Sequence, residues 1–243
     1  MDRLIYTAAS SARALMQRQD GIANNLANAN TPGFRADQVA FRAVPLLGEG
    51  TPTRVGSVEV TAGFDDTPGA IERTGRALDV SIGGRGYFAV QAPDGEAYSR
   101  AGGFEVTPDG TLTGAAGLPV LGEGGPITIP AGSQVTIAGD GTITAQGPTG
   151  APQNIGRLKL VNPPAGEMQK GADGLLRTKS GEPAAADADV RVTSGAIEGS
   201  NVNVVDAMVQ MISSARQFET QMKLLQSADQ NDQRAAQLLG PSR

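Results

Sequence analysis

The chain has no histidine, cysteine or tryptophan, and its aromatics amount to three tyrosines and six phenylalanines in 243 residues. Without histidine it lacks the commonest general base and the commonest metal ligand. Without cysteine it has no disulfides, thiolate nucleophiles or zinc–cysteine sites. Composition alone leaves two readings of these absences: a reduced cytosolic protein, or a chain that must stay unlinked while it is exported unfolded. No apolar run approaches the ~20 residues that a membrane span needs, so the chain is expected not to be membrane-inserted. The opening residues lack an arginine-led apolar segment and a small-residue cleavage site, so any exit from the cytoplasm is expected to bypass an ordinary cleaved signal.

Basic clusters are also missing. The formal charge is −5. Residues 1–30 carry a net +1 and residues 203–243 a net zero, which leaves −6 for the middle. No basic stripe exists to neutralise phosphates, so nucleic acid is not an expected partner.

What the chain does have is a heptad-patterned segment at each end. Ile5, Ala8, Ala12, Leu15, Gln19, Ile22 and Leu26 step by three and four near the N-terminus. Val204, Met208, Met211, Ala215, Phe218, Met222 and Leu225 do the same near the C-terminus, and the phase resumes at Ala236 and Leu239. A stripe of this period lets helices pair along a buried seam. Terminal segments usually fray, so strong pairing surfaces at both ends point to assembly. The first helix is predicted from Asp2 to about Asn28, roughly 36 Å long, stopped by Pro32-Gly33. The second starts at Asn203 as N-cap, with Asp206 in its first turn. It runs to about Leu239, roughly 55 Å, where Gly240-Pro241 ends it.

Between the helices the pattern changes. Residues 34–75 read as an extended connector with Pro45, Pro52 and Pro68, in which Val55, Val58 and Val60 suggest a strand or two. From about residue 76 to 199 short apolar alternations recur: Leu78/Val80/Ile82, Ile127/Ile129, Val135/Ile137 and Leu158/Leu160. Turn signals separate them at Pro93-Asp94-Gly95, Pro108-Asp109-Gly110, Gly139-Asp140-Gly141 and Ala172-Asp173-Gly174. This predicts an α+β chain: N- and C-terminal helices pairing as a coiled coil, with a central, mainly antiparallel β domain, a sandwich or irregular barrel. The expected divisions are an N-terminal helical segment 1–33, a connector 34–75, a β domain 76–199 and a C-terminal helical segment 200–243.

Nothing in the pattern demands catalysis. Asp79, Asp109 and Asp140 are the candidate paired carboxylates, but two of them sit in turn signatures. Gly83-Gly84-Arg85-Gly86 lacks the spacing and context of a phosphate-cradling loop and reads as a tight turn. No catalytic, cofactor-binding or metal site is expected, and no cofactor. Two surfaces stay open to more than one reading. A second apolar row, Val205, Val209 and Ile212, suits either burial against the β domain or packing by neighbouring chains. Asn24, Asn25 and Asn28 either line a wet helix face or cross-link helices, since buried amides can set register.

Those asparagines lie in Ala23-Asn24-Asn25-Leu26-Ala27-Asn28-Ala29-Asn30-Thr31-Pro32-Gly33-Phe34, which resembles the A-N-N-L-A-N-x-N-T-x-G-F signature of the flagellar rod, hook and hook-associated axial proteins. Thr74-Gly75-Arg76-Ala77-Leu78-Asp79-Val80-Ser81-Ile82 with Gly86-Tyr87-Phe88 is similar to a second block of that family. Tyr98-Ser99-Arg100-Ala101-Gly102-Gly103-Phe104 with Asp109-Gly110 is similar to a third. Glu198-Gly199-Ser200-Asn201-Val202, through Asp206, Met208 and Met211-Ile212, is similar to the C-terminal block. Pro32, Tyr87 and Ser213-Ser214-Ala215 depart from the usual pattern, and residues 110–190 are only weakly tied to it. The opening Met1-Asp2-Arg3-Leu4-Ile5-Tyr6-Thr7-Ala8 and Arg216-Gln217-Phe218-Glu219 are most similar to the proximal-rod members.

The resemblance implies a structural, torque-transmitting subunit of the basal-body rod, with its termini in an inner tube of helices and its β domain outside. Implied partners are other rod subunits, among them proximal rod proteins and the distal rod protein FlgG, and the flagellar type III export apparatus, with assembly in the periplasm. On this reading Ile5, Ala8, Ala12, Leu15, Ile22, Asn24, Asn25, Leu26, Asn28, Val204, Met208, Met211, Ala215, Phe218, Met222 and Leu225 carry assembly. A distal-rod or hook-type subunit is the nearest alternative. A secreted carbohydrate-binding or carbohydrate-active protein is the alternative of another class.

Overall fold

In the computed structural model, residues 2–38, 40–45, 55–60, 63–148 and 150–239 are described. Two compact units emerge, and both are discontinuous in sequence: residues 1–27, 37–62 and 203–243 form one, and 28–36 with 63–202 the other. The chain is α+β.

The first unit holds two helices, α1 (Asp2–Ala27) and α2 (Val204–Leu239), and an antiparallel hairpin. The hairpin pairs Ala40–Pro45 with Val55–Val60, running from Ala40 opposite Val60 to Pro45 opposite Val55. The helices pack on each other, and the second hairpin strand packs on α1. The predicted N-cap is in place: Asn203 Oδ1 accepts the backbone N–H groups of Val205 at 3.0 Å and Asp206 at 3.2 Å. That satisfies donors which the helix itself cannot. The Gly240-Pro241 stop lies outside the described residues.

The second unit is antiparallel in its strand pairs and divided into small sheets. The largest has five strands, with Tyr87–Ala92 and Gly95–Ser99 at its centre. Tyr87–Ala92 is buried on both faces, which is why it reads as an apolar run rather than an alternation. Phe88 faces a cluster with Val80, Ile82, Phe104, Leu112 and Ile143, and Tyr87 and Ala89 face another with Phe64, Tyr98 and Met168. Phe88 and Phe104 meet edge to face, their centroids 5.1 Å apart, in the T-shaped arrangement that aromatic quadrupoles favour. Elsewhere the core is aliphatic, as the sparse aromatics require.

This unit is closed by pairing its first strands with its last. Val80–Gly83 runs against Arg191–Ser194, and Ile71–Arg73 against Ala196–Glu198. The glycine turn between Gly83 and Tyr87 forms as expected, with Gly84 at φ 79° and Gly86 at φ 131°, conformations glycine adopts without a Cβ penalty. The segment read as a connector thus divides: 37–62 belongs to the helical unit, and 34–36 with 63–75 to the β unit.

Candidate assembly interface

In α1 the sheltered face carries Ala12, Leu15, Gln19, Ile22 and Leu26, all buried or half-buried, with Ala14 fully buried beside them. The side chains of Ile5 and Ala8 lie outside the described residues. In α2 the sheltered stripe is Ala207, Met211, Ser214, Phe218, Gln221, Leu225 and Ala228. It keeps the expected heptad spacing and includes the expected Met211, Phe218 and Leu225.

The alternate positions differ by one residue, however. Val204, Met208 and Met222 are exposed by 36%, 50% and 39%, and Ala207, Ser214 and Gln221 take the sheltered places instead. Ala215, half-buried, borders the stripe. Ala207 and Ser214 are small, so the surface that α2 turns inward can approach closely at those positions, and the bulkier Met208 and Met222 fall outside. Periodicity alone misplaced the phase because α2 carries several adjacent apolar rows. One of them, Val205, Val209 and Ile212, is exposed by 68%, 61% and 56%. With Met208 it makes a continuous apolar strip, of the kind that marks interaction sites on soluble proteins. Beside it runs a groove of about 600 Å³ lined by Leu15, Val209, Ile212, Arg216 and Thr220 among others.

The asparagines separate by role. Asn25 spends its side chain within its own unit: Oδ1 accepts the Asp37 N–H at 2.7 Å and Nδ2 donates to the Asp37 carbonyl at 3.0 Å. This pair of hydrogen bonds to the backbone of one residue ties the chain that leaves α1 back to the helix. Asn28 Oδ1 accepts the Thr31 hydroxyl at 3.2 Å, and Asn24 is exposed on α1.

Within the β unit, the resembling blocks converge on an ionic cluster for which the sequence reading assigned no roles. Glu198, 1% exposed, lies between Arg35 and Arg100, each 3% exposed. Arg35 Nη1 is 2.8 Å from Oε1, and Arg100 Nη2 is 2.8 Å from Oε2. The arginines also donate to carbonyls, Arg35 to Thr67 and Arg100 to Gly84 and Gly86, each at 2.7 Å. Gly69 N–H donates to Glu198 Oε1 at 2.9 Å. Burial lowers the Arg100 guanidinium from its usual value, and the Glu198 charge opposes that shift. Tyr87 donates its hydroxyl to Asp66, and burial with that carboxylate raises its pKa well above the usual tyrosine range.

Asn201 completes the clasp. Its Oδ1 accepts Ala36 N–H at 2.7 Å, and its Nδ2 donates to the carbonyls of Asp65 and Thr67 at 2.9 and 3.0 Å. Gly33 N–H donates to the Glu198 carbonyl at 2.8 Å. The sequence did carry a signal for this cluster: Arg35, Arg100 and Glu198 each stand in or beside one of the resembling blocks, flanked by uncharged residues.

The candidate carboxylates serve backbone and ion pairs. Asp79 accepts Arg76 Nε at 2.9 Å, Asp140 accepts the Thr142 N–H and hydroxyl at 2.9 Å each, and Asp109 precedes Gly110 in a turn. Among the described residues no helix is long and apolar enough to cross a membrane.

Comparison with known proteins decides the family. Residues 5–35 match the family described as flagella basal body rod protein, and 81–145 match the D1 domain of the flagellar hook proteins FlgE/F/G. Residues 193–238 match the C-terminal family of the basal body rod FlgEFG proteins. The flagellar basal-body rod protein FlgF of Salmonella typhimurium is 48% identical over the whole of both chains, and that of Escherichia coli K12 is 49% identical over the same extent. The chain belongs to the FlgF family of flagellar basal-body rod proteins. The rod protein FlgG of Bacillus subtilis is 32% identical over 95% of this chain and 96% of its own. The N-terminal match covers α1 from Ile5 and continues to Arg35, the C-terminal match runs from Thr193 through most of α2, and the hook-type D1 match lies within the β unit.

Proposed function

We propose that this protein is a structural subunit of the proximal part of the flagellar basal-body rod. It transmits torque through helix contacts and performs no catalysis. Full-length identity of 48–49% to FlgF proteins supports the rod role, against 32% to a FlgG protein. The observation that carries the mechanical reading is the exposed apolar strip of α2, Val205, Met208, Val209 and Ile212. An apolar strip of this size is costly in water and is stabilised when another subunit covers it.

In this reading α1 and α2 pair as a coiled coil on the Ala207–Met211–Ser214–Phe218 stripe, and neighbours cover the outer rows. Among the expected assembly positions, Ala12, Leu15, Ile22, Leu26, Met211, Ala215, Phe218 and Leu225 hold the pair, Asn25 ties the chain that leaves α1 back to the helix, and Val204, Met208, Met222 and Asn24 face neighbours. The partners are other proximal rod subunits and the distal rod protein FlgG. The chain reaches the periplasm through the flagellar type III apparatus.

Deletion of the gene, complemented by the wild-type copy, tests this. The expected result is loss of swarming and of the hook-bearing rod, with the protein recovered in basal bodies from complemented cells. A motile deletion strain with intact rods would refute the reading.

A further inference from the structure

We propose that Asn201 is a positioning residue: its side chain pins together the segments through which the chain enters and leaves the β unit, so that they move as one body and pass torque into that unit together. This rests on the rod reading, which has the chain carry torque but does not say which residues keep its connections from bending one by one.

The chain crosses the boundary of the β unit four times, at 27/28, 36/37, 62/63 and 202/203. Within the β unit, residues next to these crossings are bonded to one another. Asn201, just before the last crossing, accepts the Ala36 N–H on Oδ1 at 2.7 Å, at the second. Its Nδ2 donates to the carbonyls of Asp65 and Thr67 at 2.9 and 3.0 Å, just after the third. Asp65 N–H donates to the Ala36 carbonyl at 2.8 Å, and Asn201 N–H to that of Phe34 at 3.3 Å. The segment that follows the first crossing is held by Gly33, whose N–H donates to the Glu198 carbonyl at 2.8 Å.

A primary amide offers one acceptor oxygen and two N–H donors. Asn201 uses all of them, on three different backbone groups. Thr67 accepts Arg35 as well as Asn201, which couples the pin to the buried Glu198 cluster. Two glycines let these backbones come close. A Cβ on Gly33 would stand 2.2 Å from the Ala101 nitrogen, and one on Gly69 would stand 2.2 Å from the Gly199 carbonyl oxygen, well inside van der Waals contact. Each hydrogen bond alone contributes modestly to stability. Placed on the crossings, together they remove independent bending at each one.

Amide exchange of the wild-type chain gives the first test. The N–H groups of Gly33, Ala36, Asp65 and Asn201 are expected to open together, with one common opening free energy, as a cooperative unit does. Opening that differs from one crossing to the next would overturn the proposal. The second test compares Asn201→Ala with a truncation of Ile143, a fully buried residue outside the pinned segments, to valine or alanine, whichever matches the fall in melting temperature. Both variants are expected in purified rods. Asn201→Ala cells should swim normally in dilute medium and several-fold more slowly than wild type in medium thickened with Ficoll, whereas the Ile143 strain should keep pace with wild type in both. Equal behaviour of the two strains would make Asn201 a stabilising residue only, and overturn the proposal. If Asn201→Ala does not enter rods, the exchange measurement decides alone. Purified rods that lack the wild-type chain would overturn the rod reading, a result distinct from either failure of the pin.

Discussion

Arg100 and Glu198 meet at 2.8 Å with 2% and 1% of their side chains exposed, which joins the third resembling block to the last. Arg35 takes the other oxygen of the same carboxylate. Buried ion pairs contribute little net stability compared with apolar packing, but removing one partner leaves an uncompensated charge.

Glu198→Gln should therefore cost about 3–5 kcal/mol, because two buried guanidiniums lose their counter-charge. Urea unfolding followed through the β unit measures it. A loss under about 1 kcal/mol, the range of exposed pairs, would mean that solvent reaches the cluster. Arg35→Met/Glu198→Leu/Arg100→Met, which removes all three charges together, should fall far less than the single change.

Adjacent glycines should behave differently. A Cβ on Gly102 would stand 1.7 Å from the Val80 carbonyl oxygen, whereas one on Gly103 would find only an Asp79 oxygen at 3.8 Å. Gly102→Ala is expected to cost about 1–3 kcal/mol or more through forced backbone shifts, and Gly103→Ala much less. Thermal melts of the pair give the comparison, and equal losses would contradict the packing at Val80.

Asn25→Ala removes both hydrogen bonds to the Asp37 backbone and leaves the part-buried Asp37 N–H without its amide acceptor, at about 1–3 kcal/mol. Alanine is the better helix former by a few tenths of a kcal/mol, which offsets only part of that. Amide exchange at Asp37 should accelerate. Unchanged protection there would show that the tie does not hold the chain after α1.

Asp79 gives a pH dependence. Burial would raise its carboxyl, but hydrogen bonds from Arg76 and Thr74 with the Arg76 charge outweigh it and hold the pKa below the usual aspartate value. A lowered pKa means stability that is present above the unfolded value, near 4, and is lost as pH falls through the folded value. The stability gap between wild type and Asp79→Asn should accordingly narrow as pH drops below about 4. A gap that widened on acidification would reverse the sign of this argument.

Much of the architecture could be read from local chemistry. Asn203 announced the start of α2, Asp-Gly corners marked the turns, and alternation placed Ile127, Ile129, Val135 and Ile137 in the core. What depended on distant partners could not. The pairing of Val80–Gly83 with Arg191–Ser194 joins segments far apart in the chain, and local sequence carries no signal for it. The phase of α2 was ambiguous because apolar residues fill adjacent rows, and small Ala207 and Ser214 turn inward where larger neighbours scored higher. Asn25 was legible as unusual within a helix, but its partner Asp37 was visible only once the chain folded back.

The central claim is that the outer apolar rows of α1 and α2 are surfaces between subunits. An electron cryomicroscopy map of purified basal-body rods tests it most directly. The account predicts that Val205, Met208, Val209 and Ile212 are covered by helices of adjacent subunits along the rod. The same residues facing solvent, in a rod that contains this chain, would contradict it.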